Sequence, residues 1–389
     1  MPSQGHMWYI SAYKLYGGKA LQDSIVTTQY DVEGTSPITS IATKTYHTKY
    51  ELPKKITEYG EDILTTEYVY PFEFKDQYHP GNVYNVMMTK SMIDSPLEIT
   101  KRSNGLVTTS SSFKYAFVHY APTTIKPVVL YQLENSTPLN SFNPVSWNSQ
   151  TASFNRDEHY YEATNFTEYD VYSRLLEFQD SDDVLQSYIW PSRLKKYPVA
   201  FVKNASFDQI AYCSFEDSFI ANGTTSQTIG NWHLWGGPSW LQTEISKTGL
   251  KGVYVNSTGS IQTSMELPAD EYIISLYTKD PSSISFSPAA YKVTTKDTGD
   301  ENWSLVQASL RLTSTQKISI DVKGYIDELR LFPASAQMNT YTFDHLSRIT
   351  SECDINSNVI RYIYENDKLV KTIDNSGNIF KTFDYNYAQ

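Results

Sequence analysis

Apolar and polar positions alternate in short runs along most of this chain, and each run stops at a cluster of Asp, Asn, Ser or Gly. Leu52-Pro-Lys-Lys-Ile-Thr-Glu-Tyr59 and Ile63-Leu-Thr-Thr-Glu-Tyr-Val-Tyr70 flank Gly60-Glu-Asp62. Ser95 to Arg102 and Leu106 to Tyr115 flank Ser103-Asn-Gly105, and Tyr169 to Phe178 and Val184 to Trp190 flank Gln179 to Asp183. Alternation with period two, punctuated this way, predicts antiparallel hairpins, and Asn-Gly is the strongest cue among them. Tyr30-Asp31-Val-Glu-Gly34 predicts a strand end entering a turn. Pro122 to Pro144, rich in turn residues, predicts loops or edge strands. No segment carries a long apolar stripe of period 3.6, so helices should be few.

The last 49 residues add a register to this pattern. Arg348-Ile349 matches Lys368-Leu369, Asp354 matches Asp374, Asn358 matches Asn378 and Val359 matches Ile379, each pair 20 residues apart. A short fixed period marks a supersecondary unit that buries its apolar face by stacking on its neighbours. Tyr341-Thr-Phe-Asp344, Asp354-Ile-Asn-Ser-Asn358 and Asp374-Asn-Ser-Gly-Asn378 carry a resemblance to the YD repeat of bacterial Rhs proteins, teneurins and the C component of insecticidal toxin complexes. The segment from Ile189-Trp190-Pro191 through Tyr197-Pro198 to Asn204 resembles one that precedes an inserted β-domain in large bacterial YD-repeat surface proteins.

Between about 205 and 335 the pattern changes. Lys251–Val255, Ser260–Met265, Glu271–Tyr277, Ala290–Thr294, Trp303–Leu310, Lys317–Val322 and Tyr325–Leu331 form short alternating runs at regular intervals. Such runs predict a β-sandwich or jelly roll. Phe215-Glu-Asp217 and Ile326-Asp-Glu-Leu-Arg-Leu331 resemble the first and last strands of galactose-binding-like, carbohydrate-binding-module jelly rolls.

Composition agrees with an all-β protein: 31 Tyr, 17 Phe and 7 Trp, with many Thr and Ser, suit pleated sheets. At 389 residues two or three domains are expected. The net charge of −11 opposes nucleic-acid binding, which needs clustered Lys and Arg. No run of about 18 apolar residues exists to span a membrane. Met1 to Trp8 lacks the features of a signal peptide, so either the chain is cytosolic or a leader and upstream sequence are missing; strand-like segments that begin at once without a capping unit favour the second. Cys213 and Cys353 are either a disulfide or two buried thiols.

Enzyme signatures are absent: no P-loop, no H-E-x-x-H, no G-x-S-x-G and no C-x-x-C. The 7 His are dispersed without metal-ligand spacing. Asp182-Asp183, Asp300-Glu301 and Asp327-Glu328 are carboxylate pairs of the glycosidase type, but a chain with 43 acidic residues supplies such pairs by chance. Rhs shells that cleave off their cargo carry Asp-Pro-x-Gly; here the only Asp-Pro, Asp280-Pro281, precedes Ser282-Ser283. The Asn-x-Ser/Thr sequons, Asn204 and Asn256 among them, follow from composition. Trp232, Trp235 and Trp240, in Trp232-His-Leu-Trp235-Gly-Gly-Pro-Ser-Trp240, are either a sugar-stacking platform on a loop or cover for the sandwich core. In the jelly rolls this region resembles, an acid of the first strand and one of the last meet at a structural Ca²⁺. Glu216 and Asp327 hold those places, as metal ligands or as ordinary exposed acids.

The expectation is an all-β chain in three parts. Residues 1–203 form degenerate YD-repeat sheet, 204–335 a galactose-binding-like jelly roll, and 336–389 C-terminal YD repeats, the sheet being a partial shell or coil. The function that follows is non-catalytic: a structural or interaction part of a secreted or cell-surface bacterial assembly, with a protein or surface-glycan partner. The alternatives are a carbohydrate-binding module on a repeat stalk and a shell component of an Rhs or toxin-complex type.

Overall fold

The computed structural model describes residues 20–30, 38–118, 124–192, 196–217, 226–235 and 240–385. Strand is the dominant element among the described residues, with little helix, and the chain divides into two compact units. Among the described residues no helix is long and apolar enough to cross a membrane.

The first unit comprises residues 1–116 and 130–161. Its strands Ser24–Gln29, Ile38–Tyr46, Pro53–Tyr59, Ile63–Val69, Glu98–Ser103 and Leu106–Phe117 pair antiparallel in chain order. The Asn-Gly cue is realised directly: Ser103 pairs with Leu106, and Asn104 and Gly105 both take positive φ, as a two-residue hairpin turn requires. Between the paired strands Ile63–Val69 and Glu98–Ser103 the chain makes an excursion through the 3₁₀ turn Pro71–Phe74 and the helix Val83–Thr89. Asn82 caps that helix by accepting from the Asn85 N–H at 2.7 Å. Phe74, Tyr84, Met87 and Leu97 from the excursion are buried in this unit's core.

The second unit, residues 117–129 and 162–389, contains two sheets. Strands Leu175–Asp180, Leu185–Ile189, Ala200–Lys203, Gln337–Phe343, Ile349–Cys353, Val359–Glu365, Lys368–Ile373 and Ile379–Thr382 pair antiparallel in that order. Ala200–Lys203 and Gln337–Phe343 are direct neighbours, with Ala200 opposite Thr340 and Lys203 opposite Gln337. The chain between these two strands, residues 204–336, forms the second sheet.

That segment's sheet has the order Ser226–Ile229, Trp232–Trp235, Gly252–Thr263, Ser319–Pro333, Glu271–Thr278, Ser304–Arg311 and Lys292–Asp297. Ala211–Cys213 and Ser285–Ser287 also pair with Ser319–Pro333, and Trp240–Thr243 pairs with Gly252–Thr263. Its core holds Trp232, Leu234, Val253, Ile261, Leu276, Ile320 and Leu331 with their neighbours.

Several elements differ from the sequence pattern. The strand read over Tyr169–Phe178 is broken by a turn at Asp170, whose Oδ1 accepts from the Tyr172 and Arg174 N–H groups while Ser173 takes φ 70°. Runs read as separate strands fuse: 251–265 becomes Gly252–Thr263 with a register shift between Val255 and Gly259, and 317–331 becomes Ser319–Pro333. Within the segment read as loop or edge, Ile125–Leu133 is a strand. The Asp31–Gly34 turn lies outside the described residues.

Candidate functional site

The richest cluster of polar chemistry in the second unit lies where the inserted sheet meets the repeat strands. Ser319–Pro333 alternates normally through Val322, then carries Glu328 at φ 52° beside a register shift against Glu271–Thr278. A bulge of this kind resets which residues share a face. Ile326, Leu329 and Leu331 face the sandwich core, while Glu328 and Arg330 reach the repeat strands.

Glu328 accepts from the hydroxyls of Tyr212 at 2.8 Å, Thr248 at 3.1 Å and Thr340. Arg330 donates to the Met338 carbonyl at 2.5 Å, the Asp354 carbonyl at 3.1 Å and Cys353 Sγ at 3.1 Å. Lys247, wholly buried, donates to Asp300 Oδ2 at 2.9 Å and to the Asn375 carbonyl at 2.5 Å, and Arg361 reaches the same Asp300 oxygen at 3.0 Å. Buried charges persist only when paired and hydrogen-bonded; Lys247 and Arg361 pair with Asp300, while Glu328 and Arg330 are held by hydrogen bonds. Gly377 permits the approach: a Cβ there would lie 2.7 Å from Asp300 Oδ1, and its φ is 84°.

Glu216 and Asp327, the two candidate metal ligands, both hold the loop around Lys247. Asp327 Oδ2 accepts from the N–H groups of Lys247 at 2.7 Å and Thr248 at 2.8 Å, and its Oδ1 from the Glu328 N–H at 2.7 Å. Glu216 Oε1 accepts from the N–H groups of Leu250 at 2.7 Å and Lys251 at 2.8 Å. Gly249, with φ 59°, closes this loop where a Cβ would strike Glu216 Oε1. Calcium needs six to eight oxygen ligands. Here N–H donors occupy both Asp327 oxygens and Glu216 Oε1, and the described residues offer no group of three or more His, Cys, Asp or Glu able to hold a metal. The residues present do not fit a Ca²⁺ site, and the reading of these acids as exposed is equally corrected for Asp327, which is wholly buried. Burial pushes the Asp327 carboxyl well above its usual range against the Thr248 N–H, and burial raises Glu216 to about 7. Burial also raises Glu328 and lowers Lys247.

The three tryptophans separate. Trp232–Trp235 is a strand paired with Gly252–Thr263, so Trp232 and Leu234 face the core and His233 and Trp235 face outward. Trp240 is buried against Gly259, where a Cβ would lie 2.6 Å from its ring, and its Nε1 donates to the Trp235 carbonyl at 3.0 Å. Trp232 and Trp240 are therefore core side chains and give no stacking platform; Trp235, 48% exposed, stays open beside His233. Residues 236–239, the Gly-Gly-Pro-Ser stretch read as loop, lie outside the described residues. Cys213 and Cys353 are buried free thiols, and burial pushes Cys353 up to about 12.

The sequence pattern singles out Asp300 and Glu328 only as members of chance carboxylate pairs, and Asp327 both as one of these and as a candidate metal ligand. It misses Lys247, Arg330 and Arg361, because a single charged residue in a loop, as Lys247 is, or in an alternating strand, as Arg330 and Arg361 are, looks solvated. The one available signal was Arg330 within the otherwise apolar run Leu329-Arg-Leu-Phe332.

No protein-family model matches this chain, and no curated protein matches it. Among solved structures it is similar to TcdB2-TccC3-TEV at 11% identity and a TM-score of 0.13, over 92% of this chain and 17% of that one. It is similar to TcdB2-TccC3-Cdc42 at 12% identity and a TM-score of 0.13, over 92% of this chain and 16% of that one. The chain thus spans less than a fifth of those chains, and likeness at this level carries no argument about its function.

Proposed function

We propose that this chain is a non-catalytic structural and interaction segment of a secreted or cell-surface YD-repeat assembly. The repeat strands are its scaffold, and the inserted sandwich is the surface it presents to a protein partner. One observation carries the reading: residues 204–336 leave and re-enter the repeat sheet between two strands that pair directly, and the Lys247–Asp300–Arg361 contacts tie the insert to the later repeats. An insert anchored this way is held in one orientation, which suits presentation. A protease-cleavable epitope tag at the exposed Ala289, between Ser285–Ser287 and Lys292–Asp297, tests it in the producing cells. Removal of the tag from intact cells is the expected result; protection until lysis overturns the reading. The alternative of a glycan-binding sandwich rests on Trp235 alone, and glycan-array binding lost in Trp235→Ala would favour it.

A further inference from the structure

A cleft in the first unit, independent of the repeat strands of the second, has the features of a ligand site. It encloses about 440 Å³ beside the paired strands Ile63–Val69 and Glu98–Ser103. Glu67 pairs with Thr100 and Val69 with Glu98, so these four residues share one face, and all line the cleft. Trp147, Lys54 and Lys55 border the same space.

Its acids and its indole are fixed before any ligand arrives. Glu98, 2% exposed, accepts from the Tyr160 hydroxyl at 2.7 Å on Oε1 and from the Val145 N–H, which it shares between Oε1 at 3.2 Å and Oε2 at 3.3 Å. Glu67 is matched by Arg102 at 3.0 Å and Lys55 at 3.3 Å. Trp147 is held by its Nε1 bond to Asp76 at 2.6 Å and by edge packing on Tyr84. Preorganised polar groups beside an aromatic wall are the usual make-up of a small-molecule site.

We propose that this cleft binds a neutral carbohydrate. A pyranose offers an apolar C–H face to Trp147 and hydroxyls that both donate to carboxylates and accept from Lys54. Lys54 and Lys55 stand against Glu67, Glu73 and Glu98 in the lining, a near-cancellation of charge that disfavours a strongly charged ligand. Burial raises Glu98 to about 7, so near neutrality it is also able to donate a proton in a hydrogen bond.

The test is a glycan array of neutral, anionic and amine-bearing oligosaccharides on the whole chain, followed by calorimetric titration of the best neutral hit. Saturable binding of a neutral oligosaccharide is expected, weakened about tenfold in Glu98→Gln and in Lys54→Ala. Trp235→Ala should bind as the parent does. Glu98→Gln preserves shape and Lys54 is exposed, so at least one variant stays folded, checked by its melting curve. No binding, binding confined to charged oligosaccharides, or binding lost in Trp235→Ala and kept in both cleft variants overturns the proposal.

Discussion

Arg348 places its guanidinium carbon 4.6 Å from the ring centre of Tyr364 while its Nε donates to Asp344 at 2.7 Å. Arg174 does the same with Trp190 at 5.3 Å and Asp170 at 2.6 Å. In both cases an Asp-x-x-Ser-Arg turn is followed by an aromatic residue 20 positions after the Asp. The turn itself recurs at Asp180, Asp354 and Asp374, each accepting two N–H groups on Oδ1. Replacing Asp354 by Ala should cost about 1–2 kcal/mol by leaving those donors without their partner, read from chemical denaturation. An unchanged midpoint would show the turn to be dispensable.

Asp300 answers two cations, so Asp300→Asn should be far more damaging than a surface change. Loss of about 3–5 kcal/mol is expected, because Lys247 is left buried without its counter-charge. A cost below about 1 kcal/mol would mean that water replaces the carboxylate.

Glu98 gives a prediction in pH. Its folded-state value is raised from 4.5 to about 7, so the folded protein binds the extra proton and stability falls as pH rises from about 4.5 to 7. Glu98→Gln should remove this slope, gaining on the order of 1–3 kcal/mol over the parent at pH 8. Parallel melting curves across pH 4 to 8 would contradict it.

Asp76 has the opposite sign. Its carboxyl is held down to about 2, burial being outweighed by the Trp147, Tyr78 and His79 donors. Its contribution is complete above the ordinary carboxylate value and is lost as pH falls toward 2. Asp76→Asn should flatten the acid limb of the melting curve, and an acid limb identical to the parent's would sink the assignment.

Calcium and EDTA should leave the melting temperature unchanged, since backbone N–H groups already occupy Glu216 and Asp327. Asp327→Ala should destabilise the chain with or without metal. A rise with millimolar Ca²⁺ that Asp327→Ala abolishes would restore the metal site.

Local signals determined much of this chain. Alternation, Asn104-Gly105 and the Asp-led turns specify strands and hairpins, because a period of two and left-handed turn positions are properties of a few consecutive residues. The shared Asp-x-x-Ser-Arg of 170 and 344 is also present in the sequence, though the uneven spacing before residue 203 hides it. What only tertiary structure decided was which side chains end up buried. A bulge at Glu328 turned Asp327, Glu328 and Arg330 inward, and a strand where a loop was read put Trp232 in the core. The Glu98 cleft likewise needs Val145 and Tyr160, 47 and 62 residues away, to meet one carboxylate. Burial and pairing of charges depend on residues distant in the chain, and no local pattern encodes their meeting.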